Sequence, residues 1–549
     1  MSIESTLLFV IAAVVVVVLV HWIGDRTGLP AAALLTLVGI GYALLPGPNL
    51  PLEPHLVLTV VLPPLLYSAA LDSSLLDIRR NLRTVVSLSV VLVLLTAVLV
   101  GVGFSLFVTG ATLAAGIALG AAVAPPDPVA ALAVGRRVGL PPRLITLIQG
   151  EGLLNDATAL TTLTVAVAAA RGGNFNGWTA LGQFVLAAVG GVVAGLVVAV
   201  CVRLIRRWSS DPLALNAVSL VTPFAAYLLG EAVHVSGVLA VVVAGLVVGH
   251  DSSRMVSGAG RLQVTAVWRL VDFLLEGLVF LLIGQQLPTV VRGLGEYSTA
   301  TIAVAAAISV GVVLVFRPLW LLLTQSLPRS LHTRLGGRDD EDDGEPRGSD
   351  RLTGREVVVL SWAGTRGVIS LAAIFTLPRL TDAGTPFPDR DLLLFCTFLV
   401  VLVTLVGQGL TFAPLVRALG LRADAADQAR LRNHARSASV EAGLQRLEEM
   451  TREEHDAVDD RAIEALRTYL EARLARYRRR LDLLENAESG EVPYSPQYDA
   501  AVRVRRAVID AEREELLRLR DVGRLPDAGL RVLERELDHE EGLLPAPGR

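Results

Sequence analysis

Gln149-Gly150-Glu151-Gly152-Leu153-Leu154-Asn155-Asp156-Ala157-Thr158 sets two carboxylates in a run that is otherwise apolar enough to cross a membrane. Its flanks, Leu144 to Ile148 and Ala159 to Ala170, carry no charge. A charged side chain at the centre of a bilayer costs about 2.5–3.5 kcal/mol on insertion scales, so such acids mark functional positions and need partners. Glu151 and Asp156 are the first candidates. On a helix Glu151 and Asn155 share a face by their i, i+4 spacing, and Gly152 and Asp156 share the neighbouring one. Beside a small residue, Asp156 has room for a hard cation with oxygen ligands, whereas Glu151 calls for a fixed positive charge.

The whole chain has the character of this stretch. Of 549 residues, 52% are hydrophobic and 19% charged, with a mean hydropathy of +0.56, which is too apolar for a soluble protein of this size. The class is an all-α polytopic membrane protein, and the net charge of -4 gives no reason to expect a nucleic-acid partner. All 49 basic residues are Arg, which excludes lysine chemistry. Cys201 and Cys396 lie in separate apolar runs and are expected to be buried free thiols. The apolar run from Leu7 to Ile23 lacks a basic leader and a small-residue cleavage pattern, so it is expected to be a retained helix.

Apolar runs near the ~20 residues that span hydrocarbon predict about thirteen helices. They fall near 7–23, 31–46, 56–72, 84–108, 111–134, 144–170, 181–204, 213–232, 235–249, 266–287, 300–324, 356–377 and 391–417. Arginines gather in alternate connections: Arg26, then Arg79 to Arg83, then Arg136, Arg137 and Arg143, then Arg203 to Arg207, then Arg254 and Arg261. The positive-inside rule then puts the N-terminus outside and the C-terminus in the cytoplasm. Residues 1–421 form the membrane domain, with an acidic, Gly-rich cytoplasmic loop at about 329–355. Hydropathy collapses beyond it, and residues 422–549 read as a charged helical cytoplasmic tail with a possible regulatory role.

Two of these helices are interrupted. Ala124-Pro125-Pro126-Asp127-Pro128 removes three backbone donors in the fifth, and Gly364-Thr365-Arg366-Gly367 weakens the middle of the twelfth. Broken backbone at membrane depth survives only where it is buried in protein or lines a watery cavity. Paired interruptions in two halves of a chain point to a secondary-transporter site. Crossed half-helices bring together two positive and two negative ends, for which Asp127 and Arg366 have the neutralising signs. Arg317, deep in Val315-Phe316-Arg317-Pro318-Leu319-Trp320, is the cation to pair with Glu151. Glu276, in Phe273-Leu274-Leu275-Glu276-Gly277, is a reserve acid, while Asp72 and Asp272 stand in weaker contexts.

Together with Leu62-Pro63-Pro64-Leu65-Leu66-Tyr67-Ser68-Ala69-Ala70 and the extension of the second break through Ala372, these motifs resemble the cation:proton antiporter-1 family of bacteria, relatives of the eukaryotic sodium/proton exchangers. The resemblance covers about residues 5 to 420. It implies inverted six-helix repeats with two crossed discontinuous helices, a dimerisation domain, and a homodimer in the cell membrane. It implies that Asp156, with Asn155, binds Na+ and H+ in turn. Glu151 and Arg317 would support the site, with Asp127, Pro126, Pro128 and Arg366 at the crossing. Asn155 beside the key acid is the pattern of electroneutral one-for-one exchange in that family. Gly152, Pro126 and Ser68 depart from frequent serine, threonine and acidic residues, which leaves K+ or Li+ open as the cation. The activity implied is transport for pH and sodium homeostasis, with no enzyme chemistry and no cofactor. A K+/H+ antiporter is the alternative, and a cation channel lies further off.

Overall fold

The computed structural model describes residues 3–45, 53–172, 177–208, 211–256, 258–326, 352–423, 425–453, 460–485, 496–522, 524–542 and 544. The chain divides into two compact units, Met1–Arg422 and Ala423–Arg549.

The first unit is all helical. Its principal segments are α1 (Ile3–Thr27), α2 (Ala31–Ala43), α3 (Pro54–Leu71), α4 (Leu82–Phe107), the half-helices α5 (Leu113–Val123) and α6 (Pro128–Val138), and α7 (Pro142–Ala170). There follow α8 (Gly177–Trp208), α9 (Pro212–Ala232), α10 (Gly237–Met255), α11 (Gly258–Gln285) and α12 (Thr299–Ser326). The half-helices α13 (Gly354–Trp362) and α14 (Val368–Phe375) and the long α15 (Arg390–Leu419) complete it. Among the described residues, nine helical stretches are long and apolar enough to cross a membrane, α5 and α6 counting together as one. Two more apolar helices, Ala31–Ala43 and Gly237–Ser252, are shorter. Of the expected acidic loop, residues 329–351 lie outside the described residues.

Polar side chains mark where these helices begin. Thr112 Oγ1 accepts from the Ala115 amide at α5, Ser236 Oγ from Leu239 at α10, and both oxygens of Asp211 serve α9. Thr353 and Glu356 form a reciprocal capping box at α13, which starts that helix sharply after the acidic segment.

With lipid outside, helices gain little by hiding apolar area from one another, and close backbone approach through small residues supplies the packing. The contact of α2 with α11 is the clearest case. A Cβ built on Gly39 would lie 2.2 Å from the Leu281 carbonyl oxygen, and one on Gly284 would lie 2.2 Å from that of Thr36. Large apolar side chains instead face outward, as Leu7, Leu8, Ile11 and Leu19 do on α1 and Leu186, Val189, Val193 and Val197 on α8. Cys201 is exposed on that same α8 surface, contrary to the expected buried thiol, while Cys396 is buried as expected. Both cysteines sit in apolar sequence, and sequence apolarity does not separate a lipid-facing side from a core-facing one.

The second unit is built from α16 (Ala425–Glu453), α17 (Asp460–Glu485), α18 (Pro496–Asp521) and α19 (Asp527–Gly542). Leu484, Ile509 and Leu530 are buried within it. Arg478 pairs with Glu441, and Arg513 with Asp538 and Glu541.

Because the clash at Gly284 is with backbone, Gly284→Val should lower the melting temperature and monodisperse yield of the purified protein, overpacking of this kind costing about 1–3 kcal/mol. Gly41→Ala on the same α2, where nothing lies within 4 Å, should leave both unchanged. Equal behaviour of the two variants would disprove the packing argument.

Candidate ion-binding site at the helix crossing

The two interruptions meet. The Asp127 amide donates to the Thr365 carbonyl at 2.6 Å, and Thr365 Oγ1 donates back to the Asp127 carbonyl at 2.8 Å. Each break therefore satisfies polar backbone that the other has exposed, which no lipid could do. At the negative ends, Arg366 Nε donates to the carbonyl of Val123, the last residue of α5, at 2.6 Å, and its Nη1 donates to the Gly364 carbonyl beyond α13. The Arg366 amide is held by Thr404 Oγ1 of α15 at 3.0 Å.

At the positive ends stands Asp127. Its Oδ1 accepts from the Val129 amide at 3.0 Å and caps α6. Its Oδ2 lies so near Gly367, the residue before α14, that a Cβ there would fall 1.6 Å from the oxygen. Only glycine at 367 lets the start of α14 lie this close to the carboxylate that caps α6. Pro128 follows naturally, since the first helical position has no intrahelical use for an N–H.

Glu151 and Arg317 also come together. Arg317 Nη1 donates to Glu151 Oε1, and Nη2 to Oε2 at 2.9 Å, a two-pronged ion pair with both side chains at most 4% exposed. Arg317 Nε and Nη2 also donate to the Leu360 carbonyl near the end of α13, at 3.1 and 2.9 Å. The pair thus ties α7 and α12 to the second interrupted helix. It is a strut and does not face the cavity.

Asn155 and Asp156 occupy the facing part of α7. Asn155 Nδ2 donates to the Pro126 carbonyl at 2.7 Å, while its Oδ1, fully buried, has no hydrogen-bond partner among the described residues. Asp156 is 5% exposed and opens on a cavity of about 280 Å³, whose wall includes Asp127 and Ser370. Gly152 is part of the same wall, one helical turn before Asp156. A Cβ on it would lie 2.4 Å from Pro128 Cγ, so the glycine exists to seat the proline ring of α6 against α7.

Glu276 of α11 lines the same cavity from the opposite side. So does Asp272, one helical turn earlier, whose Oδ2 accepts from Ser68 Oγ at 2.5 Å. From the sequence Asp272 stands in a weaker context than Glu276. Its i, i+4 spacing from Glu276 was the available signal that the two share one face. The cavity continues past Leu132 to Arg136 and Asp72, near connections that carry arginine clusters.

Residues 10–418 match the family described as sodium/hydrogen exchanger, transmembrane, which takes in every element of this site. The chain belongs to the sodium/hydrogen exchanger family. An uncharacterized Na+/H+ exchanger of Mycobacterium tuberculosis is 35% identical over 546 residues, 98% of this chain and 96% of that one. The sodium, potassium, lithium and rubidium/H+ antiporter of Bacillus subtilis is 30% identical over 391 residues, 69% of this chain and 56% of its own. The sodium proton antiporter MjNhaP1 of Methanocaldococcus jannaschii, solved at pH 8, superposes with a TM-score of 0.58 over 76% of this chain and 99% of its own. At 19% identity that likeness shows a shared fold. The exchanger family is one of multi-pass membrane transporters, not enzymes.

Removing one member of a buried ion pair leaves the other uncompensated, at about 3–5 kcal/mol. Glu151→Gln and Arg317→Gln should therefore each depress thermal stability strongly, and the double variant should regain part of the loss. Strictly additive losses in the double-mutant cycle would show that the pair is not energetically coupled.

Proposed function

We propose that the chain exchanges a monovalent cation, Na+ first among them, for H+ at Asp156 by alternating access. The observation that carries this reading is the buried Asp156 carboxylate beside the crossed half-helices, which opens on a cavity that Asp272 and Glu276 line from the other side. Asp156 holds either a proton or a cation, because both need the same negative oxygens. If only the loaded forms expose the site to the other side of the membrane, an inward proton gradient expels the cation. Asn155 holds the broken backbone through the Pro126 carbonyl and keeps its own Oδ1 free to accept. Asp127 caps α6 and Glu151 is paired with Arg317, while Asp272 and Glu276 stand across the cavity on α11, so the exchange is assigned to Asp156 at the crossing.

The same reading extends to thirteen spans in two inverted six-helix repeats, α5/α6 and α13/α14 holding corresponding places. The arginine-rich ends then face the cytoplasm, with the N-terminus outside, and the cavity is open inward. We assign the protein to the cytoplasmic membrane as a homodimer serving pH and sodium homeostasis, with residues 422–549 as a regulatory tail. K+/H+ exchange is the second reading. It is favoured by the name of the Bacillus relative, which takes in potassium, lithium and rubidium as well as sodium.

Asp156→Asn keeps the shape and hydrogen-bonding capacity of the side chain but removes its charge and its proton. The purified variant should be monodisperse and show no proton-coupled Na+ flux in liposomes, and near-wild-type coupled flux would remove Asp156 from the mechanism. Because the site offers one exchanging carboxylate, transport by the wild type should also be electroneutral. Voltage imposed with a potassium gradient and valinomycin should leave the exchange rate unchanged, and a clear voltage response would require a second charge-carrying group.

A further inference from the structure

A second cavity, of about 120 Å³, adjoins the first and shares Ser68, Asp72 and Asp272 with it. It is enclosed by the ends of α3, α8 and α10 and the first half of α11. Three arginines reach it: Arg206, which is only 9% exposed, and Arg261 and Arg269, which are exposed at its rim. Arg206 Nε is buried and has no hydrogen-bond partner among the described residues. Among the described residues neither Arg206 nor Arg269 forms an ion pair with Asp72 or Asp272, and the carboxylate that acts on Arg206, Asp251, is itself paired with Arg203. Arg261 is steadied over the cavity by donating to the Val256 carbonyl at 2.6 Å. The Trp268 indole N–H is committed to Ser219 at 2.9 Å, so the tryptophan contributes only a flat apolar wall.

The cavity also holds an unanswered acceptor. Asp272 Oδ2 takes the Ser68 hydroxyl, but its Oδ1 is buried and accepts nothing among the described residues. A buried guanidinium donor and a buried carboxylate acceptor, each unsatisfied and not paired with the other, call for a ligand with both signs of charge. Phosphate suits the arginines, and a primary ammonium suits Asp272. On α11 the cavity face is Arg261, Thr265, Trp268 and Asp272, and beside it runs a stripe of exposed Leu262, Ala266 and Leu270. Such a stripe is a bed for acyl chains, and basic pockets between membrane helices are where phospholipid headgroups lodge.

We propose that this cavity binds the headgroup of a phospholipid that carries both a phosphate and a primary ammonium, with the phosphate on Arg206, Arg261 and Arg269 and the ammonium on Asp272. The ligand meets the ion pathway through the Ser68–Asp272 hydrogen bond, which belongs to both cavities. That last consequence rests on the exchanger reading, but binding itself does not.

The test is native mass spectrometry of the detergent-purified full chain, re-lipidated with equal amounts of phosphatidylethanolamine, phosphatidylglycerol and phosphatidylcholine. The wild type should retain phosphatidylethanolamine about five-fold over each of the others, the preference that a single charge-assisted contact supplies. Asp272→Asn, which removes the partner of the ammonium, should bring the three lipids close to equal retention, whereas Arg269→Gln, an exposed change that does not disturb packing, should lower the retention of all three. Equal retention by the wild type, an undiminished preference in Asp272→Asn, or undiminished retention in Arg269→Gln would overturn the proposal. A thermal-shift arm with free O-phosphoethanolamine and inorganic phosphate separates the sources. Neither should stabilise the delipidated protein, and stabilisation by either as large as that from the lipid would overturn the lipid assignment. No step measures transport, so failure here and failure of the exchange reading are separable.

Discussion

Four helix ends converge inside the membrane, and their neutralisation is the constraint on which the rest of the first unit depends. An interrupted helix carries about half a charge of each sign at its break, together with unsatisfied amides and carbonyls. Here Arg366 takes the carbonyls of Val123 and Gly364, while Asp127 takes the amide end of α6 and lies against the start of α14. The two breaks then share one pair of reciprocal hydrogen bonds through Thr365. With those charges spoken for, the remaining acid at the crossing, Asp156, is left to interact with whatever enters the cavity.

The surrounding structure keeps that arrangement in register. The Glu151–Arg317 pair anchors α7 and α12 to the end of α13, so the charge within the strut is cancelled away from the cavity. Pro128 stacked on Gly152 sets the spacing of α6 from α7, and Asn155 fixes the Pro126 carbonyl that lies between them. These contacts all position the same short stretch of backbone, so a change in any one of them moves the walls around Asp156. Across the cavity, α11 presents Asp272 and Glu276 from a helix that contributes nothing to the crossing itself. The cavity is thus a seam between two differently held sets of helices.

Much of this was legible in the chain alone, and the physical reasons are local. Charge and proline inside apolar runs are so unfavourable in lipid that each occurrence marks a function, which is why Asp127, Glu151, Asp156, Arg317 and Arg366 stand out without any fold. Helix spacing alone separated the face of Glu151 from that of Asp156, and the lone deep arginine in α12 was the natural partner for the former.

Tertiary packing decided what no periodicity encodes. Gly152 is small because Pro128, distant in sequence, presses on it, and Gly367 because Asp127 does. Asp272 is a cavity residue because Ser68 meets it across 204 positions, and Cys201 faces outward although its neighbours are as apolar as those of the buried Cys396. A sequence determines how much each residue resists lipid, and so where helices lie, where they break and which charges need partners. Which side of a helix meets the cavity, the lipid or another backbone depends on contacts between remote segments, and those exist only once the helices have packed.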